Sequence, residues 1–481
     1  MAESVEGLFR SIPDLDGIII IIGGESFYHC FMRPYGMEKG HTNCSRCEAL
    51  GAERVVSNLC NTLVRAARRV NPEAEVIAWP YSASYVWSAD DAQEEFMRLL
   101  EPGVSILTEM EKDEIVQKPG GIEKRLWDYS IDLIGPGKRA ATQLKVSRET
   151  SVPVHILSMA EMSFEAALLP FVPALDRWVA RSEALACSGA KGVYLWNMGP
   201  FIGLSSGEIY QYKWFSPAPS AEELLSDFAK RIAGGCKAGE LLRMAWREVS
   251  NGFAYMPLIN SYYKGPHYLG PAHPIVINFD TAIPDIFYGY YLFLAEINPE
   301  SAAQPLPVYD LNPEFVSEYA GPETLPVLET YYRVVQDHLE RAVTLLNEAD
   351  PLIPERLRTV YDAETLPIRW FCHTARTLGN FYESFRLVCK LKKLIEAVST
   401  ASDEDIKKGK NALERLKKVL QDERQNALDA VIIAVKDARL ETLYRLDHSF
   451  NKLIDMLNAK IELLDKQIAE DVPKLERQFK R

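Results

Sequence analysis

The sequence predicts an α/β fold, a partial TIM barrel of about five β/α units, followed by an α-helical C-terminal domain. Short apolar runs alternate with amphipathic segments in the first part of the chain, at roughly 40 residues per unit. This alternation implies parallel strands joined by right-handed crossovers. After about residue 216 the apolar runs stop and long, charged amphipathic segments follow, which indicates packed helices.

The first predicted strand is Ile18–Ile22, five consecutive isoleucines between glycines. A continuous apolar run is typical of a parallel strand that is buried on both faces. Four more strands are predicted at 75–81, 104–111, 152–159 and 192–196. Amphipathic segments at 48–70, 92–100, 137–149 and 173–188 predict the helices between and beside them.

Two architectures fit this alternation, an open doubly wound sheet and part of a (β/α)8 barrel. Every predicted strand ends in polar or aromatic residues or is followed by them, as at the mouth of a barrel. The sequence contains neither a G-x-G-x-x-G nor a G-x-x-x-x-G-K-[ST] motif, so neither common phosphate-binding loop is present. The barrel is therefore favoured.

We divide the chain into three predicted regions. Residues 1–216 form the catalytic C-terminal portion of a (β/α)8 barrel. Residues 217–326 form a connecting region, with two helices followed by a segment rich in proline, glycine and tyrosine. Residues 327–481 form an α-helical bundle, since leucine, isoleucine and valine recur there at helical spacing.

The composition excludes several classes of protein. A net charge of −13 argues against nucleic acid or an anionic membrane as the main partner. No apolar run reaches the roughly 18 residues of a membrane span, and Met1–Glu6 does not begin a signal peptide. Eight cysteines in 481 residues are too few for a disulfide scaffold. We therefore expect a cytoplasmic protein with reduced thiols.

Carboxylates and aromatic rings lie at the carboxyl ends of the predicted strands or shortly after them, and the carboxyl ends of barrel strands share one face. The residues are Glu25, Trp79, Tyr81, Glu109, Glu111, Glu161, Glu165 and Trp196. Glycoside hydrolysis needs two carboxyl groups across a sugar-binding cleft. The set predicts a carbohydrate site that needs no cofactor, although any one glutamate has an ordinary explanation as a loop residue or helix cap. A non-catalytic carbohydrate-binding or scaffold protein is the alternative.

A second group combines thiols and an imidazole in the loop after the first strand. It consists of Cys30, His41, Cys44 and Cys47. A C-x-x-C pair with two more ligands nearby fits a structural, tetrahedral zinc site. The spacing differs from a double C-x-x-C, so a redox pair or unmodified thiols are alternatives, as is a zinc-dependent hydrolase.

Several segments together resemble (β/α)8 glycoside hydrolases related to the family 20 hexosaminidases. They are Gly23–Glu25, His41–Cys47, Val76–Tyr81, Met162–Glu165, Gly192–Trp196 and Gly265–Pro274. Family 20 enzymes carry Gly-Gly-Asp-Glu where this chain carries Gly23-Gly24-Glu25-Ser26. This departure leaves room for a mechanism that uses two glutamates.

The resemblance also implies roles for the glutamates. In retaining barrel glycosidases with two catalytic glutamates, the acid/base follows the fourth strand and the nucleophile follows the seventh. If the five strands here are the fourth to the eighth, Glu25 is the acid/base and Glu165 the nucleophile, with Glu161 as the second choice. The first three strands are then missing, so another chain or an N-terminal segment would complete the barrel.

Overall fold

The computed structural model describes most of the chain in twelve segments. They are residues 1–24, 28–32, 38–126, 129–166, 169–196, 205–214, 217–257, 269–277, 284–287, 325–398, 401–442 and 453–479. The chain divides into two compact units. The first comprises Met1–Ile115, Arg125–Ala160 and Ala180–Trp196, and the second comprises Val116–Lys124, Glu161–Val179 and Asn197–Arg481.

Five parallel strands form the main sheet, a half-barrel that confirms the predicted fold class. They are β1 (Gly17–Ile21), β2 (Glu75–Trp79), β3 (Val104–Glu109), β6 (Val154–Met159) and β7 (Gly192–Trp196). Their order in the sheet is β1-β2-β3-β6-β7, so each strand pairs with its predecessor along the main sheet. This is the order that successive β/α units of a barrel produce.

A two-stranded hairpin, which was not predicted from the sequence, follows β3. It consists of β4 (Ile115–Lys118) and β5 (Ile122–Arg125). Gly120 and Gly121 turn the chain with φ angles of +88° and +84°, which residues with a Cβ rarely adopt. The hairpin matters for the site because β5 carries Lys124.

The helices around the sheet are α1 (Ala2–Ser11), α2 (Ser45–Leu50), α3 (Ala52–Arg68), α4 (Ala83–Val86), α5 (Glu94–Arg98), α6 (Lys138–Thr150) and α7 (Leu175–Ala186). The helices α5, α6 and α7 are close to the positions predicted at 92–100, 137–149 and 173–188, whereas α4 was not predicted. The segment predicted as one helix over 48–70 is two helices, because the chain is interrupted at Gly51.

Long helices dominate the second unit, as predicted. They are α8 (Ser205–Trp214), α9 (Ala221–Ala233), α10 (Cys236–Phe253), α11 (Leu325–Ala349), α12 (Arg358–Glu396), α13 (Asp403–Lys436), α14 (Arg439–Thr442), α15 (Leu453–Lys466) and α16 (Val472–Gln478). The chain order α10-α11-α12-α13 is also the order of packing. None of the helices in the described segments is both long and apolar enough to cross a membrane.

The two faces of the sheet pack against different groups of residues. Ile18 packs against Phe9 of α1 and Ala67 of α3, and this face meets the helices. Ile21 packs with Trp79, Leu107 and Leu157 on the opposite face, which we call the inner face. The alternation follows from the two-residue period of a strand, and it places Trp79 and Glu109 on the inner face.

The edge strands differ from the centre of the sheet. Every residue of β3 is buried, whereas the inner-face residues Ile19 of β1 and Tyr194 of β7 are 45% and 38% exposed. Among the described strands, none pairs with the outer edge of β1 or β7. The side chains of the inner face are therefore buried at the centre of the sheet and exposed to solvent at its two edges.

Candidate functional site

The end of β1 rests against the turn that follows β2. A Cβ on Gly23 would lie 2.5 Å from the carbonyl oxygen of Pro80, so only glycine fits this approach. The Gly24 amide donates a 2.7 Å hydrogen bond to Ser82 Oγ. The next residue, the predicted acid/base Glu25, lies outside the described residues, and its role stays a prediction.

Four aromatic rings lie together in the first unit, and we call them the aromatic wall: Trp79, Tyr81, Tyr129 and Trp196. The Trp79 ring lies 5.1 Å from Tyr81 and 6.0 Å from Trp196, centroid to centroid. The Tyr129 ring is 6.2 Å from Trp196, and the hydroxyls of Tyr81 and Tyr129 are 2.9 Å apart. Three of these residues were selected from the sequence, and the structure brings them together.

Glu109, the last residue of β3, contacts this wall directly. The Trp79 indole donates a 2.7 Å hydrogen bond to one carboxylate oxygen of Glu109. The guanidinium of Arg139, on α6, lies 3.9 Å from the other oxygen. Glu109 is only 2% exposed, so these contacts compensate a charge that burial would otherwise penalise.

Glu111 is fixed more firmly, and by groups from other loops. Arg181 of α7 donates to the carboxylate at 3.0 Å and also to Ser158 Oγ at 3.1 Å. The Ser130 amide donates to the second carboxylate oxygen at 3.3 Å. Glu111 and Arg181 are both fully buried. This geometry positions the loop after β3, and the substrate contact predicted for Glu111 stays a prediction.

Two cations accompany these carboxylates. The Lys112 ammonium lies 4.2 Å from the centroid of the Tyr81 ring, within the range of a cation–π contact. Lys112 is 2% exposed. Arg139 also donates to Asp113 at 2.5 Å and to Ser84 at 2.9 Å. The segment that follows β3 therefore carries several charged side chains that each contact an oppositely charged group or an aromatic ring.

Backbone strain occurs in the segments that follow strands. Tyr81, Asp113, Tyr129 and Glu161 have φ angles of 45°, 62°, 58° and 64°. A non-glycine residue in this region costs about 1–3 kcal/mol, and such residues gather at functional sites. Tyr81 and Glu161 each come two residues after a strand, so the strain falls on residues that were selected for chemistry from the sequence.

In the second unit, Glu165 forms a buried ion pair with Lys124 of β5. The Lys124 ammonium donates to one carboxylate oxygen at 2.9 Å, and both side chains are at most 2% exposed. Lys124 also reaches the carbonyl oxygen of Met256 at 3.4 Å. The Ser163 hydroxyl donates to the second carboxylate oxygen of Glu165. Both oxygens of Glu165 are thus held in place.

Glu161 is fully buried, and its carbonyl oxygen accepts a hydrogen bond from the Val172 amide. Its positive φ angle turns the chain sharply after β6. This bond fixes the backbone at Glu161, and the role of its carboxylate as an alternative nucleophile stays a prediction.

The three thiols of the predicted metal group lie together, and His41 does not join them. The Sγ atoms of Cys30, Cys44 and Cys47 are all within 4.8 Å of one another, which is close enough to hold a metal ion. A hydrogen bond with Cys30, together with burial, raises the pKa of Cys47 to about 11. His41 Nδ1 instead contacts Glu48 at 2.7 Å, and this pairing raises the pKa of His41.

Four residues of these clusters were not singled out from the sequence: Lys112, Lys124, Arg139 and Arg181. For Arg181 the sequence carries a signal, because Trp178, Arg181 and Leu185 share one face of a helix at spacings of three and four residues. An arginine on an apolar face needs a buried partner.

No protein-family model matches this chain, and no curated protein matches it in sequence. A solved structure is similar to it, that of a GH138 enzyme described as targeting pectin rhamnogalacturonan II. The TM-score is 0.54 at 10% sequence identity, and the match covers 99% of this chain and 64% of that one. This chain therefore resembles that enzyme in fold and spans less than two thirds of its length.

Proposed function

We propose that this chain contains the catalytic centre of a glycoside hydrolase that works with two glutamates, as retaining barrel glycosidases do. Glu25 is the acid/base, Glu165 is the nucleophile, and Glu161 is the second choice for that role. The aromatic wall, with Glu109 and Glu111, binds the sugar.

The observation that carries this proposal is the aromatic wall with Glu109 hydrogen-bonded to Trp79 at 2.7 Å. Aromatic rings beside polar groups at the carboxyl ends of parallel strands provide the stacking surface and the hydrogen bonds that a sugar ring requires. The similarity to a GH138 enzyme in fold supports the same assignment by analogy only.

The proposed reaction has two steps. The Glu165 carboxylate attacks the anomeric carbon and forms an ester bond, while the bond to the leaving oxygen breaks and Glu25 gives that oxygen its proton. Glu25 then takes a proton from water, whose oxygen attacks the anomeric carbon and releases Glu165. Lys124 and Ser163, each on one carboxylate oxygen, orient Glu165.

The test compares aryl glycosides with good and poor leaving groups. Glu165→Gln should abolish turnover of both, because no ester can form. Glu25→Gln should lower turnover mainly of the poor leaving groups, because these need the acid. Exposed Glu95 on α5 offers a matched control, Glu95→Gln, which should keep wild-type activity. Activity that survives both active-site substitutions would refute the assignment.

A second candidate is a non-catalytic carbohydrate-binding protein with the same fold. The burial of Glu111 and Glu165, both ion-paired, favours it, because such carboxylates also occur as purely structural groups. Sugar binding without turnover in the wild-type protein, measured by calorimetry against the same glycans, would support this candidate.

We also propose that further β/α units pair with the edges of the sheet. Ile19 and Tyr194, on the inner face of the edge strands, are exposed, and uncovered apolar edges promote aggregation. Ile19→Cys and Tyr194→Cys should therefore react slowly with a thiol reagent in the protein isolated from its source. Ile115→Cys, at a position that is 56% exposed, is the control, and equal rates would contradict the proposal.

A further inference from the structure

The cluster of Cys30, Cys44 and Cys47 contains thiols from two segments that are separate in sequence. Cys30 lies in the segment 28–32, and Cys44 and Cys47 flank the start of α2 (Ser45–Leu50). Their Sγ atoms lie within 4.8 Å of one another. A disulfide would use two of these sulfurs and leave the third unpaired, whereas a metal ion uses all three.

The spacing of the sulfurs is close to that of a bound ion. Zinc–sulfur bonds of about 2.3 Å in tetrahedral geometry place the sulfurs about 3.8 Å apart. The three thiols lie within 4.8 Å of one another, so a contraction of at most about 1 Å brings them to this spacing. Thiolate ligands select zinc and other soft ions over magnesium or calcium.

Hydrogen bonds hold the two segments together without a metal. Thr42 Oγ1 donates to the Cys30 carbonyl oxygen at 2.8 Å, and the Cys44 amide donates to Thr42 Oγ1 at 3.4 Å. The Thr42 amide in turn donates to Glu48 at 2.8 Å. The side chains of Thr42 and Glu48 therefore bring the thiols together through hydrogen bonds with the backbone, which lowers the entropic cost of assembling a site.

His29, beside Cys30, and His41 are the histidines nearest to the cysteines in the sequence. The His29 Nε2 contacts the Ile22 carbonyl oxygen at 3.2 Å, and neither histidine belongs to the cluster. The ring of His41 is also engaged elsewhere. Its Nδ1 contacts one oxygen of Glu48 at 2.7 Å, while the other oxygen accepts the Thr42 amide. His41 is absent from the cluster in which ligand atoms lie within 4.8 Å. Because Cys30 is exposed, water reaches the cluster.

We propose that Cys30, Cys44 and Cys47 bind one zinc ion through three thiolates, with water as the fourth ligand. The three thiols release three protons to solvent as three zinc–sulfur bonds form. The ion is structural: it fastens segment 28–32, which follows the stretch that carries Glu25, to α2. This proposal is independent of the glycosidase assignment.

The test measures zinc in the full chain, purified under reducing conditions, loaded with excess zinc and desalted. We expect one ion per chain, and X-ray absorption should detect three sulfur neighbours at about 2.3 Å and one lighter neighbour. Zinc that washes out of the wild-type protein, or a shell with two sulfurs, would overturn the proposal. These measurements need no variant to fold.

Variants then assign the ligands. Cys30→Ser, Cys44→Ser and Cys47→Ser should each bind zinc more than about 100-fold more weakly, a larger loss than outer-shell changes cause. Cys187→Ser, which removes an exposed thiol outside the cluster, should bind as the wild type does. His41→Ala should keep the stoichiometry and the sulfur count. Loss of zinc in His41→Ala would show that histidine, and not water, is the fourth ligand.

Discussion

Two buried lysine–glutamate pairs in the second unit can be compared directly. Glu165 pairs with Lys124 in a short turn that follows a strand of the sheet, whereas Glu423 pairs with Lys460 between helices α13 and α15. Both glutamates are at most 2% exposed. Burial and ion pairing therefore do not distinguish a reacting carboxylate from a structural one.

The surroundings of the two pairs do differ. Glu423 also accepts hydrogen bonds from Thr377 at 2.6 Å and Asn380 at 2.8 Å, both on α12, and Lys460 donates to the Pro271 carbonyl oxygen at 2.7 Å. This network ties three helices together in a bundle core. Glu165 instead lies in a loop just past a strand end, the place where parallel α/β folds bind their ligands.

The largest expected difference concerns activity. Glu165→Gln keeps the size of the side chain but removes the nucleophile, so turnover of aryl glycosides should fall by about 10³-fold or more. Glu423→Gln should leave turnover unchanged in the folded protein. Steady-state kinetics on both variants, with folding checked by circular dichroism, make the comparison. If the Glu423→Gln protein were folded but inactive, the distinction between a reacting Glu165 and a structural Glu423 would be refuted.

Stability should respond to the loss of the Glu423 carboxylate in the helical bundle. Glu423→Gln leaves the Lys460 ammonium buried without its carboxylate, which should lower the free energy of unfolding by about 3–5 kcal/mol. Urea unfolding of wild type and variant measures this loss. Glu423→Gln together with Lys460→Met removes both charges and should recover most of it. A double variant as unstable as the single one would show that the ion pair is not the cause.

The sequence predicted the strands better than the contacts between them. Ile18–Ile22 and the apolar runs of β2, β3, β6 and β7 carry their own periodicity, which depends on neighbouring residues alone. The hairpin β4–β5 was missed even though Pro119-Gly120-Gly121 is a turn signal between two short alternating runs. Each of its strands has only four residues, which is too short for the two-residue period of a strand to be recognised within a loop.

The candidate site was predictable by residue type but not by partner. The aromatic residues Trp79, Tyr81 and Trp196 were found because each lies at or just past a strand end. Lys124 meets Glu165 across 41 positions, and Arg181 meets Glu111 across 70. Such pairings follow from how the loops pack, which no local pattern encodes. His41 was assigned to the thiols by spacing, and the structure pairs it with Glu48.

A third buried carboxylate, Glu364 on α12, should make the stability of the protein depend on pH. Burial raises its pKa from 4.5 to about 7, while it accepts hydrogen bonds from the Ser205 amide and hydroxyl at 3.0 and 2.9 Å. Between these pH values the folded state binds a proton that the unfolded state has lost. Stability should therefore fall as pH rises from 4.5 to 7, by at most about 3 kcal/mol.

Glu364→Gln should remove this pH dependence, because an amide does not titrate. The measurement is the free energy of unfolding at several pH values across that window, for wild type and variant. Glu423→Gln is the control and should keep the wild-type slope from Glu364. A slope that survives in Glu364→Gln would assign the dependence to another group.

The smallest expected effects come from a matched pair of hydroxyls. The Ser163 hydroxyl donates to Glu165, and the Thr377 hydroxyl donates to Glu423. A hydrogen bond to a charged group contributes about 1.5–3 kcal/mol. Ser163→Ala should therefore lower turnover by roughly 10- to 100-fold, since each 1.4 kcal/mol is a factor of ten, and should change stability less.

Thr377→Val should instead lower stability by about 1.5–3 kcal/mol and leave turnover unchanged. Asn426 Nδ2 also donates to Thr377 Oγ1, at 2.9 Å, so the loss should lie at the upper end of that range. If Ser163→Ala changed stability alone, like Thr377→Val, Glu165 would belong with Glu423 among the structural carboxylates. The nucleophile would then have to be sought at Glu161.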